Sequence, residues 1–362
     1  MTTTPSYIRD EKRLCGQASH FALCRFAHGT TRGIRYSRSV KRTTVIHADG
    51  ISLDRVLESR RRTSHDGLSR EESRGFHEAR KRTSWGRRSQ RSLALAEGQR
   101  ILATAERYDL VVVFDGRAVR VCGIGTVCAE PSPHSLEHAR VLVDAVADDA
   151  ARQGAGMALL FPQPGVTNGQ RGDFQPIPST DLTLIVSDPA PDDEPMTVRR
   201  GEERDLAAIV AMGRAGAGRF RFHLDRDVDF VHYAITTRRW LAGPGSADAG
   251  QLHFWVADEG GKAAAYVIVS VADDLWTLEE CGDLDPSGAG VGALLRALVA
   301  REPGQRRPTI RAWLPPGFLP PQVTVASAVP STDAVKVRML GAAATEPPLS
   351  SDDVLFWRND IL

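Results

Sequence analysis

Gly288, Gly290 and Gly292 stand at alternate positions behind an apolar and acidic run, Leu278-Glu279-Glu280-Cys281-Gly282, and a turn at Asp285-Pro286-Ser287. Beyond the glycines, Val291, Leu294, Leu295, Leu298 and Val299 recur at a helical period, so the pattern predicts a strand, a glycine loop and the start of a helix. The chemistry of such a junction is anion binding. Backbone without Cβ atoms can come close to a phosphate, and the unpaired amides and dipole of a helix N-terminus point at it. A pyrophosphate is the natural guest. The same glycines could instead only ease a tight turn into the helix, and the pattern alone serves both readings.

Other reactive side chains fall into weaker patterns. Cys15, His20, Cys24 and His28 share one short stretch and could be drawn as a zinc site, but their spacing matches no standard finger, and no metal is expected. The five cysteines are odd in number, scattered, and contain no C-x-x-C pair, which argues for a reducing compartment. No apolar run approaches ~18 residues, and the N-terminus has no apolar signal core, so no membrane association and a cytoplasmic protein are expected.

The net charge of +1 hides an asymmetry, because residues 1–100 hold 22 Lys and Arg against 10 Asp and Glu. Clusters such as Arg60-Arg61-Arg62, Arg80-Lys81-Arg82 and Arg87-Arg88 lie among many Ser and Thr with little sustained apolar pattern. A poorly ordered basic region over residues 1–92 is the expectation. Contact with nucleic acid through it is the minor reading, and a solvated extension the major one.

The positioning elements follow in two series. A helix is predicted over Leu93–Glu106, then a hairpin of Tyr108–Phe114 and Ala118–Cys128 about Asp115-Gly116. A helix carrying Ala139, Leu142, Val143 and Val146 comes next, followed by strands at Met157–Phe161 and Leu182–Val186. Asp188–Pro195 reads as a linker. After it come a strand at Thr197–Arg199, helices at Glu202–Gly213 and Asp227–Leu241, and a hairpin turning at Glu259-Gly260-Gly261-Lys262. The strand at Trp276–Cys281 feeds the glycine loop and its helix. A strand at Thr309–Leu314, a helix at Ser331–Leu340 and a strand at Val354–Arg358 close the chain.

This order resembles the GNAT superfamily of acetyl-CoA-dependent N-acetyltransferases over Met196–Leu362, with a weaker copy over Arg100–Val186. The fold class implied is α/β: two GNAT-like mixed-sheet units with flanking helices, at residues 93–188 and 196–362, behind the basic N-terminal region. The family's loop runs Arg or Gln, two residues, Gly, one residue, then Gly or Ala. Ser287, Gly288, Ala289, Gly290, Val291 and Gly292 fall on it, with Ser in place of Arg or Gln, and are the cofactor-binding residues that the resemblance implies. The first copy has His134, Ser135, Leu136, Glu137 and His138 there, without glycine and with a carboxylate that would repel a pyrophosphate.

The resemblance further implies acetyl-CoA as co-substrate, a small-molecule or protein amine as acceptor, and a carboxylate on the strand before the loop as base. Glu279 and Glu280 stand on that strand. Adjacent strand residues face opposite ways, so at most one of them is expected to serve, with Glu280 preferred. The family's tyrosine acid has no counterpart in Ser331–Leu340. A non-catalytic GNAT-like protein that binds an acyl-CoA or a partner is the alternative.

Overall fold

The computed structural model describes residues 43–63, 68–162, 173–188, 196–241, 251–272, 274–302, 307–341 and 349–362. The Cys15–His28 group and most of the expected linker lie outside them. Among the described residues the order is β1 (Thr43–His47), α1 (Gly50–Thr63), α2 (Arg70–Arg82), α3 (Ser84–Ser89), β2 (Gln90–Glu97), β3 (Arg100–Phe114), β4 (Arg117–Ala129), α4 (Ser135–Arg152), β5 (Met157–Leu160), β6 (Gln175–Pro176) and β7 (Thr180–Val186). There follow β8 (Thr197–Arg200), α5 (Leu206–Ala217), β9 (Phe222–Leu224), α6 (Val228–Leu241), β10 (Gln251–Glu259), β11 (Lys262–Ala272), β12 (Leu275–Asp283), α7 (Ala289–Val299), β13 (Thr309–Ala312), β14 (Val323–Pro330), β15 (Lys336–Met339) and β16 (Val354–Leu355).

These strands build two mixed sheets. The first runs β1-β2-β3-β4-β5-β15-β6, with β9 joined to β3 and β16 joined to β9; the second runs β14-β7-β13-β12-β11-β10-β8. The β3–β4 hairpin turns where the sequence places it, with Asp115 at φ 48° and Gly116 at φ 75°, the left-handed pair that a two-residue turn demands. The sheets do not divide at residues 188–196. β7, which precedes that stretch, pairs with β13 and β14, whereas β15, far beyond it, pairs with β5 and β6.

Three apolar cores hold the layers. α4 lays Ala139, Leu142, Val143 and Val146 on the first sheet against Leu93, Leu102 and Cys122. α7 lays Val291, Leu294, Leu295 and Leu298 on the second sheet. Each such buried side chain contributes about 1.5–3 kcal/mol. The third core mixes both halves of the chain, and includes Trp85, Tyr108, Tyr233, Phe254, Tyr266 and Val354.

Three expectations need correction. Leu93–Glu106 is not a helix but the β2–β3 hairpin, turning at Gly98 with φ 62°. Its alternating run of Ala and Leu is buried on both faces, so helical propensity yields to sheet packing. Ser331–Leu340 is not a helix but a turn followed by strand β15, because Val337 and its neighbours complete the ladder on β5.

Finally, residues 43–92 carry a strand and three helices with internal partners. Ser69 and Glu72 form a reciprocal cap at the start of α2, accepting from the Glu72 amide at 3.2 Å and the Ser69 amide at 2.8 Å. Arg80 is buried and donates to the Tyr233 hydroxyl at 2.9 Å and the Tyr108 hydroxyl at 3.0 Å. Arg60 is buried against Glu106. Two members of the basic clusters are therefore interior cations.

Candidate functional site

β12 and β13 run parallel with paired residues from Leu275–Thr309 to Leu278–Ala312, and beyond that point they part. Pro315 and Pro316 cannot donate to a ladder and carry the second strand away. The wedge left between them holds a cavity of about 270 Å³. Cys281, Gly282 and Asp283 form one wall, Met212, Arg219 and Phe220 another, and Phe318, Leu355 and Trp357 the rest. The first sheet has a similar divergence of β4 and β5 after Ile124–Leu160. There the main chain of Leu362 fills the opening: a Cβ on Gly125 would lie 2.5 Å from the Leu362 carbonyl oxygen.

Glu279 and Glu280 sit at a β-bulge. Ile268 pairs with Glu280 and Val269 with Leu278, which leaves Glu279 as the extra residue. The bulge corrects the expectation that the two carboxylates face opposite ways. Leu278 and Cys281 both pack on the α7 side, and both glutamates turn to the other side. Glu280 has no exposed surface and accepts hydrogen bonds from the Tyr266 hydroxyl at 2.6 Å, Arg226 at 2.7 Å and the Asn359 amide at 2.8 Å. Glu279 accepts from Ser270 Oγ at 2.7 Å and lies 3.8 Å from Arg238.

Arg226 also faces Asp360, with Nε 3.4 Å from Oδ1. Asp360 is only 1% exposed, accepts from the Trp357 amide at 2.9 Å through Oδ2, and has no hydrogen-bond partner for Oδ1. Burial, against the pull of Arg226 and with the help of the Glu280 charge, pushes its carboxyl up to about 6. Asp360 and Arg226 line a small cavity of about 30 Å³, which shares Gly213, Leu355 and Trp357 with the larger one. Tyr266, Arg226, Asn359 and Asp360 were not legible as site residues. The only signal for the first was the β11–β12 hairpin, which sets Tyr266 opposite Gly282.

The glycine loop is where the sequence places it. Gly288 has φ 76° and caps α7, and a side chain there would meet the Phe318 ring at 2.9 Å. Its amides, however, have internal partners. The Ser287 amide donates to Asp285 Oδ1 at 2.9 Å, the Gly288 amide to the Asp285 carbonyl at 2.9 Å, and the Ala289 amide to Ser287 Oγ at 3.3 Å. The Val291 amide donates to Asp283 Oδ2 at 2.8 Å. The Gly292 amide closes the helix on the Gly288 carbonyl at 3.0 Å. Burial raises the Asp283 carboxyl above its ordinary value. The Cys281 thiol is likewise driven well up by burial, so it is a packing group rather than a nucleophile.

Two mixed sheets, each with a parallel strand pair that parts beside a helix, have counterparts among solved structures. A GCN5-related N-acetyltransferase from Anabaena variabilis superposes with a TM-score of 0.59 at 12% identity, over 84% of this chain and 74% of that one. The chain has the GNAT fold. A GCN5-related N-acetyltransferase from Kribbella flavida gives 0.57 at 16% identity over 84% and 73%, and Saccharomyces cerevisiae N-myristoyltransferase, solved with myristoyl-CoA bound, gives 0.50 at 12% over 82% of each chain. No protein-family model and no curated protein matches the sequence. In GNAT terms the strand pairs β4–β5 and β12–β13 are equivalent, and of the two wedges the second is open.

Proposed function

We propose that the chain is a GNAT-type acyltransferase that holds an acyl thioester, with acetyl-CoA as the donor to test first, in the β12–β13 wedge and passes the acyl group to an amine. The open wedge is the observation that carries this reading. Its ladder ends at Leu278–Ala312, so the strand edge beyond can pair with an extended, amide-bearing arm, and its apolar walls suit the thioester end. An attacking amine must lose a proton. Glu280 is held by three donors, and the proton passes into the Glu280–Arg226–Asp360 cluster, where Asp360 Oδ1, which faces Arg226 but accepts no hydrogen bond among the described residues, can take it. Glu279, bonded to Ser270, supports Arg238 and stands apart from the transfer.

A second reading, an acyl-thioester binder without turnover, draws on one observation: the Tyr266 hydroxyl donates to Glu280 and so is not presented to a leaving thiolate. Calorimetric titration with acetyl-CoA, followed by an amine screen that detects free thiol, tests both. Binding with amine-dependent thiol release supports the transferase, and release should fall at least about tenfold in Asp360→Asn. Binding without release under any amine leaves the binder, and no binding removes both.

A further inference from the structure

We infer that Asp283 occupies the place of a donor's pyrophosphate, so that the wedge recognises a thioester by its neutral pantetheine-like arm and not by its phosphates. This rests on the acyltransferase reading and narrows its substrate class.

The loop at the start of α7 has the glycines of an anion cradle, but its anion belongs to the chain itself. Asp283 Oδ2 receives the Val291 amide at 2.8 Å and Oδ1 receives the Asp285 amide at 2.9 Å. Gly290 is glycine for this reason. A Cβ there would stand 3.0 Å from Oδ2, 3.1 Å from Oδ1 and 3.0 Å from the Ala265 methyl. The residue has no need of a left-handed backbone, so the missing side chain makes room for the Asp283 carboxylate rather than for a turn.

A phosphate brought to these amides would find them engaged and would face two negative groups, Asp283 and the exposed Asp285. Both charges repel it. Among the described residues that line the cavity, Arg219 is the sole cation, and it lies on another wall with its guanidinium on the Pro316 carbonyl at 2.8 Å. Among the described residues, no arginine or lysine lines the cavity on the loop side to offset the carboxylates. The arm, by contrast, needs only what the wedge offers: the strand from Cys281 to Asp283, beyond the last β12–β13 pair, and apolar walls from Phe220, Phe318 and Leu355. A donor whose affinity resides in its arm, such as an acylated pantetheine or a carrier-bound one, meets these terms.

The experiment compares acetyl-CoA with S-acetylpantetheine on the full chain by calorimetry, at low and high salt, in the parent and in Asp283→Asn. The asparagine oxygen still accepts from the Val291 amide, so the helix cap survives while the charge is lost, and a melting curve checks this. We expect the parent to bind the two probes within about threefold of each other and with little dependence on salt. Asp283→Asn should gain about tenfold or more for acetyl-CoA, in a salt-sensitive manner, with S-acetylpantetheine unchanged. A parent that binds acetyl-CoA more than about tenfold tighter than S-acetylpantetheine would overturn the inference, as would a variant that shifts both probes alike or neither. If the parent binds neither probe, the acyltransferase reading fails at that point. A gain of acetyl-CoA binding in the variant would then still support the role of Asp283, and no gain would overturn it.

Discussion

Arg226 stands between two buried carboxylates, and its loss would leave Glu280 and Asp360 facing each other without a cation between them. Arg226→Met should therefore cost about 3–5 kcal/mol, well beyond the loss of one exposed ion pair. Urea unfolding measures it, and a change below about 1 kcal/mol would contradict the geometry. Asp360 adds a dependence on pH whose sign is fixed. In the folded chain it holds its proton up to about 6, whereas an unfolded aspartate releases it near 3.8. The folded state binds more protons across that window, so this contribution is full below it and is lost as the pH rises through about 6. Asp360→Asn should flatten the fall in urea midpoint between the two pH values. Glu106 works in a separate window: burial pushes its carboxyl up, but Arg60 and Arg80 outweigh this and hold it at about 2, so its contribution disappears only on acidification below 4.5.

At the scale of elements, the bulge in β12 decides what its residues can touch. A Cβ on Gly282 would lie 2.5 Å from Tyr266 Cε1, so Gly282→Ala should push the ring off Glu280 and lower stability by about 1–3 kcal/mol. A melting temperature within a degree of the parent would show that the ring can move aside freely. The strand, loop and helix around Gly288–Gly292 were legible in the sequence because glycine spacing and a 3.6-residue apolar period are local signals. The hairpin at Asp115-Gly116 was legible for the same reason. What escaped were features set by distant partners. A one-residue register shift between β11 and β12 turned both glutamates to one side. Asp283 reads as one more acidic residue before a turn until its carboxylate is seen on the α7 amides. The Ala- and Leu-rich run at 93–106 carries helical propensity, and only neighbouring strands on both sides make it a hairpin.

In the whole molecule, the basic segment, the first sheet and α6 meet at Arg80. Its guanidinium joins Tyr108 of the first sheet to Tyr233 of α6, under Trp85, whose ring centroid lies 4.6 Å from that of Tyr233. A chain lacking residues 43–89 would open this core, and we expect it to lose cooperative unfolding in calorimetry. Trypsin should likewise spare Arg60 and Arg80 under native conditions, and early cleavage at either would count against this packing. The exchange of β7 and β15 between the sheets means that a chain cut within 189–195 should give two pieces that fold only when mixed, as a recovered near-ultraviolet signal would report. The same exchange has a consequence for synthesis on the ribosome. β5 is complete at Leu160, but the strand that covers its edge begins at Lys336. At about 5–20 residues per second, that edge waits roughly 9–35 s for its partner while the second sheet is still being made. For that interval the nascent chain presents the open edge of a wholly apolar strand, Met157-Ala158-Leu159-Leu160, and a holding chaperone would find its target there.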